Sequence, residues 1–297
     1  MLLALVVISC LASGYLIVAL GWSQRPLFST DLRLRLSLSV GFGLGTFSVI
    51  FFLARVFGVG HLIVTDVSIL VLLVTVFFAL RPRAIPPGTS TSPEVTAQLP
   101  RWLHRLLTAA FAMALCAALY SAILRAIAHP HGEGWDAFAI WNLHARFLFR
   151  GGEHWRDGFS ALIPWSHPDY PLLLPSAVAH FWSILGHEQT AVPASIGIAF
   201  TFSTVALLFS SLDKLRGRAS ALLGGLALLS TPFFVEQGSS QYADVPLSFF
   251  FLATIAFLHL YEDRASDESA PHSRGFLVLA GLAAGFAVRL TAAKSVA

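Results

Sequence analysis

Long apolar stretches recur along this chain, and most are as long as a bilayer is thick. A helix needs about 20 consecutive apolar residues to cross the hydrocarbon core. With 56% hydrophobic and 12% charged residues over 297 positions, the chain is too apolar for a soluble domain. We therefore predict an all-α, polytopic membrane protein whose spans lie near 2–20, 37–57, 62–80, 103–124, 191–211, 219–234, 245–260 and 275–293.

Basic residues predict how these spans are oriented. They cluster before the second stretch (Arg25, Arg33, Arg35), around the Pro/Ser/Thr-rich segment 81–101, and between 212 and 218. Positively charged connections stay on the cytoplasmic side, so we expect these three inside and the amino terminus outside. Only one crossing then fits between the loop 125–170 and residue 212. The short apolar stretch 172–186 is therefore expected to be re-entrant or interfacial.

The segment 81–101 also predicts the domain organisation. Its prolines, glycine and Ser/Thr run are typical of a linker. We expect it to be cytoplasmic and to separate an N-terminal three-span unit, residues 1–80, from a second transmembrane module, residues 102–297.

Two acidic motifs stand where predicted spans leave the membrane. The first is His129-Pro130-His131-Gly132-Glu133-Gly134-Trp135-Asp136, and the second is Gln241-Tyr242-Ala243-Asp244-Val245-Pro246. With 172–186 not crossing, Asp136 and Asp244 emerge on the same extracytoplasmic side. A carboxylate at a membrane face is costly and marks a functional site. The structural alternative is that each aspartate is only a helix N-cap.

The loop 125–190 predicts a second surface feature, an amphipathic interfacial helix. From Phe138, apolar residues recur at helical spacing, with Asn142, His144, Arg146 and Arg150 on the remaining face. Five of the seven tryptophans fall in this region, as in an interfacial aromatic belt. Its histidines fit no closed metal-ligand spacing, so no metal site is predicted. Scattered basic residues likewise predict no nucleic-acid partner.

The order of these features resembles a known superfamily. A span, an aspartate just beyond it, interfacial helices, the turn His167-Pro168-Asp169-Tyr170-Pro171 and the second motif resemble GT-C glycosyltransferases. The likeness is greatest to the family of protein O-mannosyltransferases and aminoarabinose transferases. It covers about residues 103–297 and implies a chain that is incomplete at its carboxyl end.

The resemblance implies a membrane glycosyltransferase that moves a sugar from a polyprenyl-phosphate donor to an extracytoplasmic acceptor. Asp136 would be the base, and Asp244 would position the acceptor or a divalent cation. The host would be the bacterial cytoplasmic membrane, and the product a component of the cell envelope. The remaining residues implied to bind substrate are Glu133, Trp135, Arg146, Arg150, His167, Tyr170, Tyr242, Arg289 and Lys294.

Two other functions stay open at this point. A transporter or flippase for a lipid-linked or small anionic solute also uses acids, broken helices and prolines. It would place polar groups near the middle of the membrane, and the middles of these spans are almost free of charge. The second alternative is a catalytically inactive, truncated membrane component, for which both aspartates would be dispensable.

Overall fold

The computed structural model describes residues 2–22, 32–80, 100–265 and 274–290, which are helical and contain no strand. The eleven α-helices within these ranges are α1 Leu2–Gly21, α2 Leu32–Phe57, α3 Leu62–Leu80, α4 Arg101–Ala128, α5 Asn142–Arg150, α6 Leu173–Leu185, α7 Ala191–Arg216, α8 Arg218–Leu229, α9 Pro232–Ser239, α10 Asp244–Ala265 and α11 Arg274–Val288. A π-helical turn, Ala137–Trp141, and two 3-10 helices, Gly152–Phe159 and Pro164–Ser166, complete the loop between α4 and α6.

Six of these helices, α1, α2, α3, α4, α7 and α10, are long and apolar enough to cross a membrane. Their apolar residues outside the core face outward, as lipid-facing side chains do; Val64 of α3 and Met113 of α4 are examples. The prediction of an all-α, multi-pass membrane protein is confirmed.

Two predicted spans differ from the helices observed. The stretch 219–234 is not one helix, because α8 and α9 are bent by 67°. Pro232 is the first residue of α9 and has no N–H to continue the hydrogen bonding of α8. The stretch 275–293 becomes α11, which has only 15 residues. After Val288 the backbone turns, and the carbonyl of Arg289 accepts a hydrogen bond from the backbone N–H of Leu173.

The amphipathic helix expected from Phe138 has a different register. A π-helical turn takes up residues 137–141, and its extra residue rotates the chain relative to an α-helix. Phe138 is consequently exposed, whereas the polar residues Asn142 and His144 are buried. The expected division into an apolar inner face and a polar outer face is therefore wrong at these three positions.

The short apolar stretch forms α6, a helix of 13 residues that is too short to cross a bilayer. Its residues from Leu173 to Trp182 are all buried, and it packs against α2 and α5. The hydroxyl of Ser48 in α2 donates a 2.6 Å hydrogen bond to the carbonyl of Leu173. Helix α2 also packs against α7, and α1 packs against α11. Residues of the first three helices therefore join the same core as the rest.

Candidate functional site

The two acidic motifs come together in space, and a hydrogen bond joins residues of the two motifs that are 111 positions apart in the sequence. Gln241 joins them: its side chain is buried, and its backbone φ is 66°. Its Oε1 accepts a 2.7 Å hydrogen bond from Nδ2 of Asn142, and its Nε2 donates a 3.3 Å bond to the carbonyl of Pro130. Because a buried amide is costly unless it is paired, these bonds hold the first motif against the turn before α10.

Two glycines allow the close approach. Gly132 and Gly134 have φ of +87° and +85°, where residues with a Cβ are disfavoured. A Cβ on Gly134 would lie 2.5 Å from the hydroxyl oxygen of Tyr242. A Cβ on Gly132 would collide with Ala137 and lie 3.0 Å from the carbonyl oxygen of Ser240. Glycine at both positions therefore lets the loop lie directly on the second motif.

The hydroxyl of Tyr242 is affected by the charges of three acids. Its pKa is raised, chiefly by burial and next by the charge of Asp136, with smaller contributions from Asp244 and Glu133. A hydrogen bond from the backbone of Asp136 to the phenol acts in the opposite direction. The carboxylates of both motifs are thus close enough to act on one phenol, which remains protonated and able to donate a hydrogen bond at neutral pH.

Asp136 and Asp244 are both exposed. Asp136 directly precedes the π-helical turn, and its side chain makes no capping hydrogen bond to it. The N-cap alternative therefore does not account for Asp136. Single π-helical turns also occur often at functional sites. Asp244 is the first residue of α10, so it stands where that span begins.

Glu133 is fixed by a residue that the sequence analysis missed. Arg125, in the last turn of α4, forms ion pairs with Glu133 and with Glu236 of α9; the second has Nη2 2.7 Å from Oε1. Arg125 thereby connects the first motif to the helix that precedes the second. A single arginine near the end of an apolar span could have drawn attention to Arg125 in the sequence. Its two partners, however, are 8 and 111 residues away. Only the fold brings them together.

Aromatic rings form one side of the site. Trp135 makes an edge contact with Trp165, with ring centres 6.0 Å apart. His167 stacks on Tyr170 at 4.5 Å, and Tyr170 lies tilted against Trp141 at 5.6 Å. Trp135 and Trp165 thus form one group of rings and His167, Tyr170 and Trp141 a second, and Trp165 and His167 are only two residues apart in the chain.

The arginines implied to bind substrate have unequal surroundings. Arg146 and Arg150 both pair with Glu188, at 3.2 Å and 2.6 Å from Nε to a carboxylate oxygen. Glu188 lies just after α6, and the sequence analysis did not single it out. Because its side chain is largely buried, its charge is strongly committed to these two arginines.

Arg289 lies in a different group. Its guanidinium lies over the ring of Phe52, 5.2 Å from the centre, and Phe52 contacts Trp155 at 5.9 Å. Arg156 covers Trp155 at 4.5 Å, and Arg55 donates a 2.9 Å hydrogen bond to the carbonyl of Gly152. Within the described ranges, none of these three arginines forms an ion pair. Lys294 lies outside the described residues.

His144, in α5, is a polar residue that is fully buried. Its ring lies against Phe159 with centres 5.7 Å apart. The pKa of His144 is lowered to about 4, mainly by burial and slightly by His167, while the backbone of Gly158 and the charge of Asp169 act in the opposite direction. His144 is therefore neutral at pH 7 and is a part of the interior packing.

Among the residues that the structure describes, no three His, Cys, Asp or Glu side chains converge as metal ligands. In comparisons with protein-family models, curated proteins and solved structures, nothing matched this chain.

Proposed function

We propose that the chain is a membrane glycosyltransferase of the GT-C type, transferring a sugar from a polyprenyl-phosphate donor to an acceptor outside the cytoplasm. The observation that carries the proposal is that the two acidic motifs meet: Gly134 lies against the phenol of Tyr242, and the charges of Asp136, Asp244 and Glu133 all act on that phenol. Exposed carboxylates beside a hydrogen-bond donor, where apolar helices end, suit the deprotonation of an acceptor that meets a lipid-linked substrate.

In the proposed reaction, Asp136 accepts the proton of an acceptor hydroxyl or amine. The acceptor atom forms a bond to the anomeric carbon, and the bond from that carbon to the phosphate oxygen breaks. The electron pair leaves with the polyprenyl phosphate, and the configuration at the sugar inverts. Asp244 and the phenol of Tyr242 orient the acceptor; alternatively, Asp244 would help to hold a divalent cation that orients it.

The leaving phosphate needs cationic groups that are not already neutralised. Arg146 and Arg150 share Glu188, so we assign them a role in fixing α5 to the start of the next loop. The group around Phe52 and Trp155 suits the phosphate better, because within the described chain Arg55, Arg156 and Arg289 have no acidic partner. Arginine forks match phosphate oxygens well.

A polyprenyl donor, a multi-pass chain and an outward-facing site together suit the bacterial cytoplasmic membrane and a cell-envelope product. Membrane lipids would surround the outward apolar faces of α3 and α4, which are the least buried of the spans.

The test is a sugar-transfer assay with membranes that contain the full chain or its Asp136→Asn or Asp244→Asn variant. The probe is a polyprenyl-phosphate-linked sugar labelled in the sugar. We expect each variant to lose about 100-fold or more of its transfer rate. The matched control is Asp157→Asn, an exposed aspartate whose side chain is 67% exposed. Equal transfer by the two site variants and the parent would refute the proposal.

One observation favours a second function, transport. Asp66 of α3 is buried in a helix that otherwise faces outward, and α8 and α9 form a broken helix; both features mark transport sites. In proteoliposomes, a flippase would move a labelled lipid-linked sugar between leaflets at the parent rate with Asp136→Asn and would stop with Asp66→Asn. The transferase predicts no movement by any of them.

A further inference from the structure

Helix α3 carries a buried carboxylate that the proposed transfer reaction does not use. Asp66 is the one buried residue of α3, all of whose residues the structure describes; its exposed fraction is 1%. The rest of the helix is uncharged and mostly apolar, and none of it is buried, as in a lipid-facing span. A carboxylate that enters the protein core from such a helix has lost its water and must be compensated there.

The compensation comes from His180 in the middle of α6. Its Nε2 lies 2.9 Å from Oδ2 of Asp66, and neither side chain is more than 2% exposed. The imidazole is flanked by the rings of Phe47 and Phe51 of α2, with centres 5.3 Å and 5.9 Å away. The pair is therefore enclosed by apolar rings, where an uncompensated charge is most costly.

The titratable groups around the pair are few. From α1, Cys10 interacts electrostatically with Asp66. In the parts of the neighbouring helices that the structure describes, α2 presents Phe47 and Phe51 to the imidazole, and α6 adds the ring of Phe181 at 5.4 Å. No described arginine or lysine is paired with Asp66.

Each member of the pair has one polar atom to spare. Oδ1 of Asp66 and Nδ1 of His180 are buried and have no hydrogen-bond partner among the described residues. The same holds for the hydroxyl of Ser176, one helical turn before His180 on α6. Buried polar atoms without partners cost about 1–3 kcal/mol each. Oδ1 of Asp66 and Nδ1 of His180 are therefore two buried atoms of the pair that can still take up a proton.

We propose that Asp66 and His180 form an intramembrane proton-binding site. Without the proton, a neutral imidazole donates its Nε2 hydrogen to Oδ2 of the carboxylate, and the buried pair carries one negative charge. One proton taken from water binds either Nδ1 or Oδ1, and the pair becomes neutral. The gain is the removal of a net charge from an apolar enclosure.

Water can supply this proton from the side of the membrane on which α3 begins. Asp66 is the fifth residue of α3, so it lies about 6 Å along the helix from Leu62. The site is thus distinct from the acids of the two motifs.

The experiment is infrared difference spectroscopy of the full chain in lipid bilayers, comparing spectra at about pH 5 and about pH 8, the range in which unperturbed histidine side chains change charge. We expect a pH-dependent carboxyl or imidazole signal that Asp66→Asn abolishes and that His180→Gln abolishes or displaces. The matched control is Asp157→Asn, because Asp157 lies 3.8 Å from His154 in an exposed pair; it should leave that signal unchanged.

A parent spectrum that Asp66→Asn does not alter would overturn the proposal and leave a fixed structural hydrogen bond. If Asp66→Asn does not insert into the bilayer, His180→Gln decides by the same criterion. The readout needs no sugar donor, so its outcome is independent of whether the chain transfers a sugar.

Discussion

The side-chain amide of Asn142 donates a 2.7 Å hydrogen bond to Gln241, from a residue 99 positions earlier in the chain. Both side chains are buried, and the bond joins the end of the π-helical turn to the motif that starts α10. It is a direct side-chain link between the segments that carry Asp136 and Asp244.

This link predicts a measurable coupling. Asn142→Leu and Gln241→Met each leave the other amide buried without its partner, which should reduce the free energy of unfolding by about 1–3 kcal/mol. The double variant should lose less than the sum of the two, by about 1 kcal/mol or more. Denaturant titration of the protein in detergent micelles measures all three. Strictly additive losses would mean that the two side chains do not interact.

The close approach of Gly134 to Tyr242 predicts a contrast between two glycines. Gly134→Ala places a methyl group 2.5 Å from the phenol oxygen, whereas Gly186, with φ of +76°, has open space around its missing Cβ. Each alanine costs about 1–2 kcal/mol for a left-handed backbone conformation. Only Gly134→Ala should also displace Tyr242 and reduce sugar transfer. Equal effects of the two substitutions on transfer would contradict the observed contact.

The charge of Asp136 predicts the titration of Tyr242. Because that carboxylate is the largest cause of the raised pKa after burial, Asp136→Asn should lower the pKa of Tyr242. The ultraviolet absorbance of tyrosinate, taken as the difference between each protein and its Tyr242→Phe counterpart, isolates this phenol. An unchanged midpoint in Asp136→Asn would place the two groups too far apart for a shared site.

His144 predicts a dependence of stability on pH. Its pKa is about 4 in the folded protein and 6.5 when unfolded, so the unfolded chain binds more protons between these values. Stability should therefore fall as the pH is lowered from about 6.5 to about 4. His144→Phe, which can pack against Phe159, should lose less stability over that window than the parent. Identical pH profiles of the melting temperature would show that His144 is already solvated.

The two groups of arginines predict different effects of substitution, one on donor binding and the other on stability. Arg289→Gln should raise the KM for the lipid-linked donor roughly 10-fold or more, as expected when a charge-assisted contact to phosphate is lost. Arg146→Gln leaves Arg150 paired with Glu188 and should chiefly lower stability. Transfer rates over a range of donor concentrations separate the two effects. If only Arg146→Gln raised the KM, the donor phosphate would bind to the arginines of α5 and not to Arg289.

Sequence reasoning predicted the membrane class and most helices, because a membrane-spanning helix is recognisable from the length of its apolar stretch alone. It overlooked the effect of Pro232, since the residues on both sides of it are apolar and hydropathy alone runs through the break. It also gave Asn142 and His144 to the polar face, because a π-helical turn has no periodicity signal of its own.

Pairings over long sequence separations explain what else was missed. Glu188 pairs with two arginines that looked free in the sequence, and Asp66 meets His180, 114 residues away, only in the folded chain. The two acidic motifs were recognisable by their chemistry and by their places at span ends. Their attachment through Gln241 and Arg125 was not, because each bond depends on the tertiary packing of α4, α9 and α10.

The most direct test of a single site formed by both motifs is single-turnover sugar transfer by Asp136→Asn, Asp244→Asn and the double variant, inserted at equal levels. Groups that act as a unit have strongly non-additive effects on rate. We predict that the double variant is no slower than the slower single variant. Losses that multiply, or a parent rate in either single variant, would show that the acids do not act together on one substrate.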